Sequence, residues 1–145
     1  MGHTEAEVCM KFITPAIQNA GWDIQSQVLR EHSFTDGQVI VRGKIVSRAK
    51  SKRADYLLQY KSNIPIAIIE AKKDTLPVGA GMQQALEYAE ILDIPFVYSS
   101  NGKGFVEHDR FSGKERNISL DEFPTPEALW SRHNNGKGFN EKQQL

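Results

Sequence analysis

The stretch IPIAIIEAKK, residues 64–73, constrains the fold more than any other part of the sequence, because an apolar run ends there in one acid and two bases. An apolar run of this length beside turn-forming residues is typical of a strand in the centre of a sheet, buried on both faces. Side chains alternate along a strand, so Glu70 and Lys72 project to one face and Ala71 to the other. We therefore predict a rigid central strand that carries an acid and an amine to the surface.

A second strand candidate, ADYLLQY, precedes this run and is separated from it by three residues. If the two strands form an antiparallel hairpin with the turn centred on Ser62 and Asn63, Asp55 lies directly opposite Glu70. Opposed side chains have Cβ atoms about 5 Å apart, where two like charges are destabilising unless something lies between them. Mg²⁺ prefers carboxylate ligands, with water and phosphate in its other positions. The spacing therefore predicts a Mg²⁺ site, which Mn²⁺ can also fill, at Asp55 and Glu70.

These groups suit the hydrolysis of a phosphodiester bond. A bound metal activates water, and Lys72 can orient that water and stabilise the charge that develops on the phosphate. Arg53 lies opposite Lys72 in the same register, and the basic stretch that it ends would suit a DNA backbone. The simpler alternative is that all these groups are surface charges at strand ends and in a solvated hairpin. The basic stretch contains Arg42, Lys44, Arg48, Lys50, Lys52 and Arg53.

The rest of the pattern predicts helices packed on this sheet. Apolar residues recur with helical spacing over residues 8–20, and Thr4 and Glu7 have the spacing of a capping box at the start of that helix. Pro15 should kink the helix and Gly21 should end it. Further elements are predicted as strands at 22–29, 94–100 and 104–109, a basic hairpin or arm at 36–53, a helix at 78–92 and a short helix after Thr125.

With 145 residues the chain fits one domain of ordinary size. We predict an α/β fold with a central mixed β-sheet of four or five strands, flanked by α-helices, and a site at one edge of the sheet. The domain is predicted at residues 1–132. Residues 133–145 are polar and lack periodicity, which indicates a tail or a linker.

Some classes of function find no support in the sequence. No apolar run approaches the roughly 18 residues of a membrane span, and no phosphate-binding loop of the GxxxxGK[ST] type occurs, so we expect neither a membrane partner nor an ATP site. The single Cys9 excludes an internal disulfide, and the four histidines are scattered, which argues against a nucleophilic triad. Because no charged-then-apolar leader begins the chain, we expect a cytoplasmic location.

The segments ADY and IIEAK, with Asp55, Glu70 and Lys72, resemble the PD-(D/E)xK motif of restriction-endonuclease-like nucleases, although Ala54 stands where the motif has proline. The order of segments over about residues 4–132 is similar to the N-terminal nuclease domain of the R (restriction, motor) subunit of type I restriction-modification enzymes. The resemblance implies a restriction-endonuclease-like fold and a Mg²⁺-dependent DNA endonuclease. The segments are TEAEVCMKFITPAIQNAGWD, ADYLL, IPIAIIEAK, GMQQALEYAEILDIPFVYSSNG and GFVEHD.

The resemblance also implies further site residues. Gln84 and Tyr88 match a QxxxY pair that helps to place the DNA backbone or supports the catalytic centre. Residues four apart share a helix face, and this pair lies away from the apolar stripe, so we expect it outside the core; for Tyr88, packing is the alternative. An acid on the first helix that points to the metal corresponds to Glu5. The backbone carbonyl of Ala71 can add a metal ligand.

The partners implied are double-stranded DNA, the rest of the R subunit with its motor, and the methyltransferase and specificity subunits of the parent complex. Residues 133–145 would then be a tail or the start of a linker to the motor. Two alternatives stay open. One is a DNA-binding or assembly module of the same fold that does not cut, and the other is a stand-alone repair or junction nuclease of the same superfamily.

Overall fold

A computed structural model describes residues 2–35, 38–41, 44–48 and 51–143, with side chains for 2–34 and 52–137. The strands are β1 (Val28–Thr35), β2 (Gln38–Val41), β3 (Lys44–Arg48), β4 (Ser51–Gln59), β5 (Pro65–Ala71), β6 (Phe96–Ser100), β7 (Phe105–Asp109) and β8 (Glu115–Ile118). The helices are α1 (Glu5–Val8), a π-helical turn (Cys9–Ile13), α2 (Thr14–Asn19), α3 (Met82–Leu92), a 3₁₀ turn (Leu120–Glu122) and α4 (Pro126–Gln143). None of the helices within these ranges is both long enough and apolar enough to cross a membrane.

Six strands form one mixed sheet in the order β1-β4-β5-β6-β7-β8, and β2 pairs with β3 in a separate hairpin. Strands β5 and β6 are parallel and are joined through α3, whereas the other neighbours in the sheet are antiparallel. The α/β class, the mixed sheet and the central position of β5 are confirmed. The predicted number of strands, four or five, is wrong, because the edge strand β8 was missed: three of its four residues are exposed and show no apolar alternation.

Helices cover both faces of the sheet. On one face, α1, α2 and α4 bury a cluster that includes Ile13, Ile17 and Leu129 against the sheet. On the other, α3 packs Met82 and Ala85 on the inner strands. Strand β5 contributes to both clusters and is buried along six of its seven residues, which makes it the most rigid part of the sheet.

The first helix follows its predicted pattern. The Thr4 side chain accepts from the backbone N–H of Glu7, and the Glu7 carboxylate accepts from the backbone N–H of Thr4, which confirms the capping box. Cys9 is buried, as its place on the apolar stripe predicts. Before Pro15 the backbone widens into the π-helical turn, because proline cannot supply an N–H to a regular helical ladder. The chain leaves the helix at Gly21, whose φ is +101°.

The strand predicted at residues 22–29 is wrong for most of its length, because β1 begins only at Val28. Asp23 accounts for the difference. Its carboxylate accepts from the backbone N–H of Gln25 at 3.0 Å and from the hydroxyl of Ser26 at 2.7 Å, and these local bonds close a turn. Trp22 is nevertheless buried in the core, and its indole N–H donates to the carbonyl of Pro124 at 2.9 Å.

Helix α4 begins where the sequence predicts. The hydroxyl of Thr125 accepts from the backbone N–H of Ala128 at 3.0 Å, and Trp130 stacks on Tyr60 with ring centroids 4.5 Å apart. The helix is longer than the short one predicted, because it continues over residues 133–143. The boundary predicted at residue 132 therefore lies inside a helix, and the division into domain and linker stays a prediction.

The turn between β6 and β7 yields a first testable prediction. Gly102 has a φ of +90°, and a Cβ at this position would lie 2.8 Å from the Phe12 ring. We expect Gly102→Ala to lower the free energy of unfolding by about 3 kcal/mol, from the sum of backbone strain and overpacking. Gly113 also has a positive φ, +76°, but open space around it. Gly113→Ala should therefore lower the free energy of unfolding by about 1 kcal/mol, from backbone strain alone. Urea unfolding of the two variants measures the difference. Equal losses in the two variants would contradict the contact with Phe12.

Candidate active site

Strands β4 and β5 pair in the predicted register and then separate. Backbone pairing ends at Tyr56 and Ile69, one pair short of Asp55 and Glu70. Beyond that point β4 pairs with β1 again from Ala54, and β5 stays paired with β6 as far as Ala71. A gap therefore opens between two inner strands of the sheet, β4 and β5, whereas the site was predicted at one edge of the sheet.

The carboxylates of Asp55 and Glu70 fill this gap and replace the missing backbone pairing. Oε1 of Glu70 accepts a hydrogen bond from the backbone N–H of Asp55 at 3.2 Å. Oδ2 of Asp55 accepts one from the backbone N–H of Ala71 at 2.8 Å. Each acid is thus held by the strand of the other, so the predicted juxtaposition is confirmed, while the chemical role of the pair stays a prediction.

Glu70 is an acid in an environment that disfavours its charge. Its side chain lies almost wholly within the protein, with 3% of the residue exposed. Burial, and after it the negative charge of Asp55, raises the pKa of Glu70 to about 9, and the charge of Lys72 offsets only part of this. Near neutral pH the pair of acids therefore retains a proton unless a cation takes its place.

Lys72 projects to the same face as Glu70, as strand alternation predicts. Gly81, the residue that caps α3, contacts both: a Cβ on it would lie 3.2 Å from Cβ of Glu70 and 3.4 Å from Cγ of Lys72. The ammonium of Lys72 lies 3.5 Å from Oε1 of Gln84 and 3.9 Å from Oε1 of Glu5. The structure thus brings the acid predicted on the first helix to the lysine, and the amine is held between α1 and α3.

Gln84 and Tyr88 act as one unit on α3. The side-chain N–H of Gln84 donates to the hydroxyl of Tyr88 at 2.6 Å. The expectation that Tyr88 lies outside the core is wrong: only 8% of the residue is exposed, and its ring meets Phe34 of β1 at a centroid distance of 5.1 Å. The ring of Tyr88 packs in the core, and its hydroxyl faces the site. Tyr88 therefore has both of the roles that the sequence left open, packing and support of the site.

Two residues near the site were not identified from the sequence. The backbone N–H of Gly81 donates to the hydroxyl of Ser99 at 2.9 Å, and that hydroxyl donates to the carbonyl of Val78 at 2.7 Å. These bonds hold the start of α3 against the end of β6, the strand that pairs with β5 beside Glu70. A glycine directly before a helical pattern was a usable signal for Gly81, whereas nothing in the sequence distinguished Ser99.

The basic stretch reaches the site at its end. Arg53 is exposed on β4 at the rim of the site. The predicted hairpin is confirmed by β2 and β3, and Lys44 and Arg48 lie in β3, whereas Arg42 and Lys50 lie outside the described residues.

One cleft of about 520 Å³ is lined by every predicted site residue together with Lys52, namely Glu5, Lys52, Arg53, Asp55, Glu70, Ala71, Lys72, Gln84 and Tyr88.

The cleft offers a cation few protein ligands. Within the part of the chain that the structure describes, no group of three or more His, Cys, Asp and Glu side chains could hold a metal ion. A cation here would have two carboxylates, and the remaining positions would fall to backbone carbonyls, water or a substrate. That ligand set fits Mg²⁺, which keeps several waters and shares its other positions with phosphate, better than it fits zinc.

The chain is similar to known proteins over most of its length. The model of the family described as type I restriction enzyme R protein N terminus matches residues 24–124. The type I restriction enzyme EcoAI endonuclease subunit of Escherichia coli is 45% identical to this chain over 144 residues, which is 97% of the chain and 18% of that subunit. The chain therefore spans less than a fifth of the length of this relative.

A solved structure has the same fold. It is described as a fragment of an HsdR subunit of a type I restriction enzyme from Vibrio vulnificus YJ016, and it superimposes with a TM-score of 0.81 at 43% sequence identity. The match covers 95% of this chain and 27% of that one. On these grounds the chain belongs to the type I restriction enzyme R protein family, of which it carries the N-terminal region.

Proposed function

We propose that this chain is the Mg²⁺-dependent DNA endonuclease domain of a type I restriction-modification system, of the PD-(D/E)xK kind. The observation that carries the proposal is the pair of acids in the gap between β4 and β5, with the amine of Lys72 on the same face. Buried acids that serve only the fold are normally paired with a base or replaced by neutral residues, because an unpaired buried charge is costly. A site that must receive a divalent cation accounts for this arrangement.

The residues present fit a magnesium ion. Asp55 and Glu70 would hold it through the carboxylate oxygens that the backbone N–H groups do not occupy. The carbonyl of Ala71 is a third candidate, since the N–H and C=O of one residue in a strand point the same way, and the N–H of Ala71 points to Asp55. When bound, the metal would polarise a phosphate oxygen and lower the pKa of a water molecule.

The other residues of the cleft would position the DNA and the attacking water. Lys72 supplies a positive charge beside the acids and stabilises charge that develops on the phosphate. Gln84 fixes the amine of Lys72 from one side and is itself oriented by Tyr88. Arg53 at the rim suits a phosphate of the backbone. Glu5 reaches Lys72 from the first helix, which supports a role in orienting that amine.

The relatives suggest the wider context. Both are parts of type I restriction enzymes, so we propose double-stranded DNA as the substrate, and the rest of the R subunit with the methyltransferase and specificity subunits as partners. A DNA substrate of this kind would place the chain in the cytoplasm. The ATP-driven motor would lie outside these 145 residues.

Nicking of supercoiled plasmid DNA tests the proposal. We expect nicking with Mg²⁺ or Mn²⁺ that EDTA abolishes, and a loss of at least about 100-fold in Asp55→Asn, since one metal ligand is removed. Calorimetry should record Mn²⁺ binding by the wild type and none by Asp55→Asn. The control is Asp93→Asn, the same chemical change at a fully exposed side chain. This variant should nick plasmid DNA and bind Mn²⁺ as the wild type does.

The outcomes separate the proposal from its alternatives. Nicking that survives Asp55→Asn would contradict the assignment of the site. Retention of plasmid DNA on the protein without nicking, with or without Mn²⁺ bound, would favour the module that binds DNA but does not cut. Cleavage that prefers branched DNA over plasmid duplex would favour a repair or junction nuclease.

A further inference from the structure

Asp55 lies where β4 has lost its regular backbone partners on both sides. Towards β5, its N–H donates to a carboxylate and not to a strand carbonyl. Towards β1, pairing passes from Arg30–Tyr56 to His32–Ala54 and omits Glu31 and Asp55. The backbone of Asp55 is therefore held by side chains, although it sits in an inner strand of a six-stranded sheet.

The distortion on the β1 side has a definite geometry. Glu31 has a φ of +51°, in the left-handed region that a residue with a long side chain rarely adopts. Glu31 is left out of the backbone pairing with β4. In its place, Nε of Arg30 donates a hydrogen bond to the carbonyl of Asp55 at 3.1 Å. The break in the ladder leaves the backbone of Asp55 without a strand partner, so its position depends on the side chains that bond it.

The side chain of Arg30 is itself fixed by a contact with an aromatic ring. Its guanidinium lies over the ring of Tyr56, 4.4 Å from the ring centroid. Tyr56 is fully buried, and its hydroxyl donates to the carbonyl of Cys9 at 3.1 Å and bonds Thr14 at 2.7 Å. Cys9 begins the π-helical turn and Thr14 begins α2, so both bonds tie the ring to the first helical segment. The guanidinium therefore rests on a ring that the core holds rigidly, which fixes the direction of its Nε–H.

We infer that Arg30 is a positioning residue of the site, which holds the backbone of Asp55 from β1 so that the carboxylate faces Glu70. The inference rests on the proposed function, since it assigns Arg30 to the metal centre of that function. Arg30 does not line the cleft, so it would act through Asp55 and not by touching DNA. Outer residues that orient a metal ligand typically change metal affinity or activity by about 10- to 100-fold when they are replaced.

Two substitutions separate this role from a simple effect of charge. Arg30→Met keeps an unbranched side chain on Tyr56 but removes both donor and charge, whereas Arg30→Lys keeps the charge and loses the Nε–H at that place. The control is Lys61→Met, because Lys61 lies over the ring of Tyr60, 5.8 Å from its centroid, after the other end of β4. The measurements are amide hydrogen exchange without metal, Mn²⁺ affinity by calorimetry, and kcat and KM for plasmid nicking.

We expect exchange of the Asp55 amide to accelerate at least about 10-fold in both Arg30 variants, with the amides of Leu58 and Ile68 unchanged. Mn²⁺ affinity and kcat should fall about 10-fold in both, with KM for DNA unchanged. Lys61→Met should match the wild type throughout.

Other outcomes overturn the inference in distinguishable ways. Full rescue by Arg30→Lys together with a raised KM in Arg30→Met would assign Arg30 to a DNA phosphate. Unchanged exchange of the Asp55 amide and unchanged Mn²⁺ affinity in the Arg30 variants would show that the metal site does not depend on Arg30. A wild-type chain that binds no Mn²⁺ and does not nick would remove the proposed function, and the inference with it.

Discussion

Replacing Lys72 by methionine is expected to lower kcat for plasmid nicking by about 10²- to 10³-fold, the usual effect of removing one group that stabilises developing charge. KM for DNA should change little, because the amine is placed beside the acids and not along the rim of the cleft. The fold should tolerate the change. The contacts of the ammonium, 3.5 Å from Gln84 and 3.9 Å from Glu5, are long and partly exposed, and such pairs contribute about 0–1 kcal/mol.

Lys73 provides the matched control for this experiment. It is the adjacent residue, carries the same side chain, is exposed and does not line the cleft. Lys73→Met should therefore keep kcat within about 2-fold, since a single surface charge changes mainly the salt dependence of DNA binding. Equal losses of kcat in the two variants would show that both lysines only attract DNA, and would remove Lys72 from the chemistry.

The central hairpin was predictable because its information is local. A short apolar run that is rich in isoleucine and follows turn-forming residues is typical of an inner strand. A short connection between two strands leaves few registers. The structure adds a bulge between Leu58 and Gln59, which shifts the pairing by one residue near the turn. Because the bulge lies on the turn side of Leu58, the register towards Asp55 and Glu70 is unaffected.

Features that depend on distant contacts were not predictable. The burial of Tyr88 requires Phe34 from β1, which lies far away in the sequence. The role inferred for Arg30 requires the distortion at Glu31, and no residue type there signals it. The five-residue segment NGKGF occurs twice, at residues 101–105 and 135–139. The first copy spans the turn between β6 and β7, and the second lies inside α4. Tertiary packing decided the structure of both copies.

Glu70→Gln is expected to stabilise the metal-free protein while abolishing nicking. The pKa of Glu70 is raised to about 9 in the folded chain, from a value of 4.5 for an ordinary glutamate. Between these values the folded state keeps a proton that the unfolded state has released, so stability falls as pH rises through this window. At pH 7 the penalty is up to about 3 kcal/mol, and glutamine, which is always neutral, removes it. The amide oxygen of glutamine can still accept from the N–H of Asp55.

Urea unfolding at several pH values in EDTA measures this effect. We expect Glu70→Gln and the wild type to be equally stable near pH 4.5, and the variant to gain an advantage that grows until about pH 9. Millimolar Mg²⁺ should narrow the gap by stabilising the wild type alone, because ligand binding to the folded state adds to its stability. A difference that does not change with pH would contradict a raised pKa for Glu70.

Glu107→Gln is the control with the opposite sign. Glu107 is as buried as Glu70, with 2% exposed, but it accepts two hydrogen bonds from the guanidinium of Arg132, both at 3.1 Å, and one from the hydroxyl of Tyr98 at 2.6 Å. Burial alone would raise the pKa of Glu107, yet these partners hold it below its usual value. Its charge therefore stabilises the fold above pH 4.5, and that contribution is lost as the pH falls. Glu107→Gln should destabilise at neutral pH, where Glu70→Gln stabilises. The fold pairs Glu107 with the guanidinium of Arg132 and leaves Glu70 beside the acid Asp55. This contrast supports the proposal that Asp55 and Glu70 hold a metal.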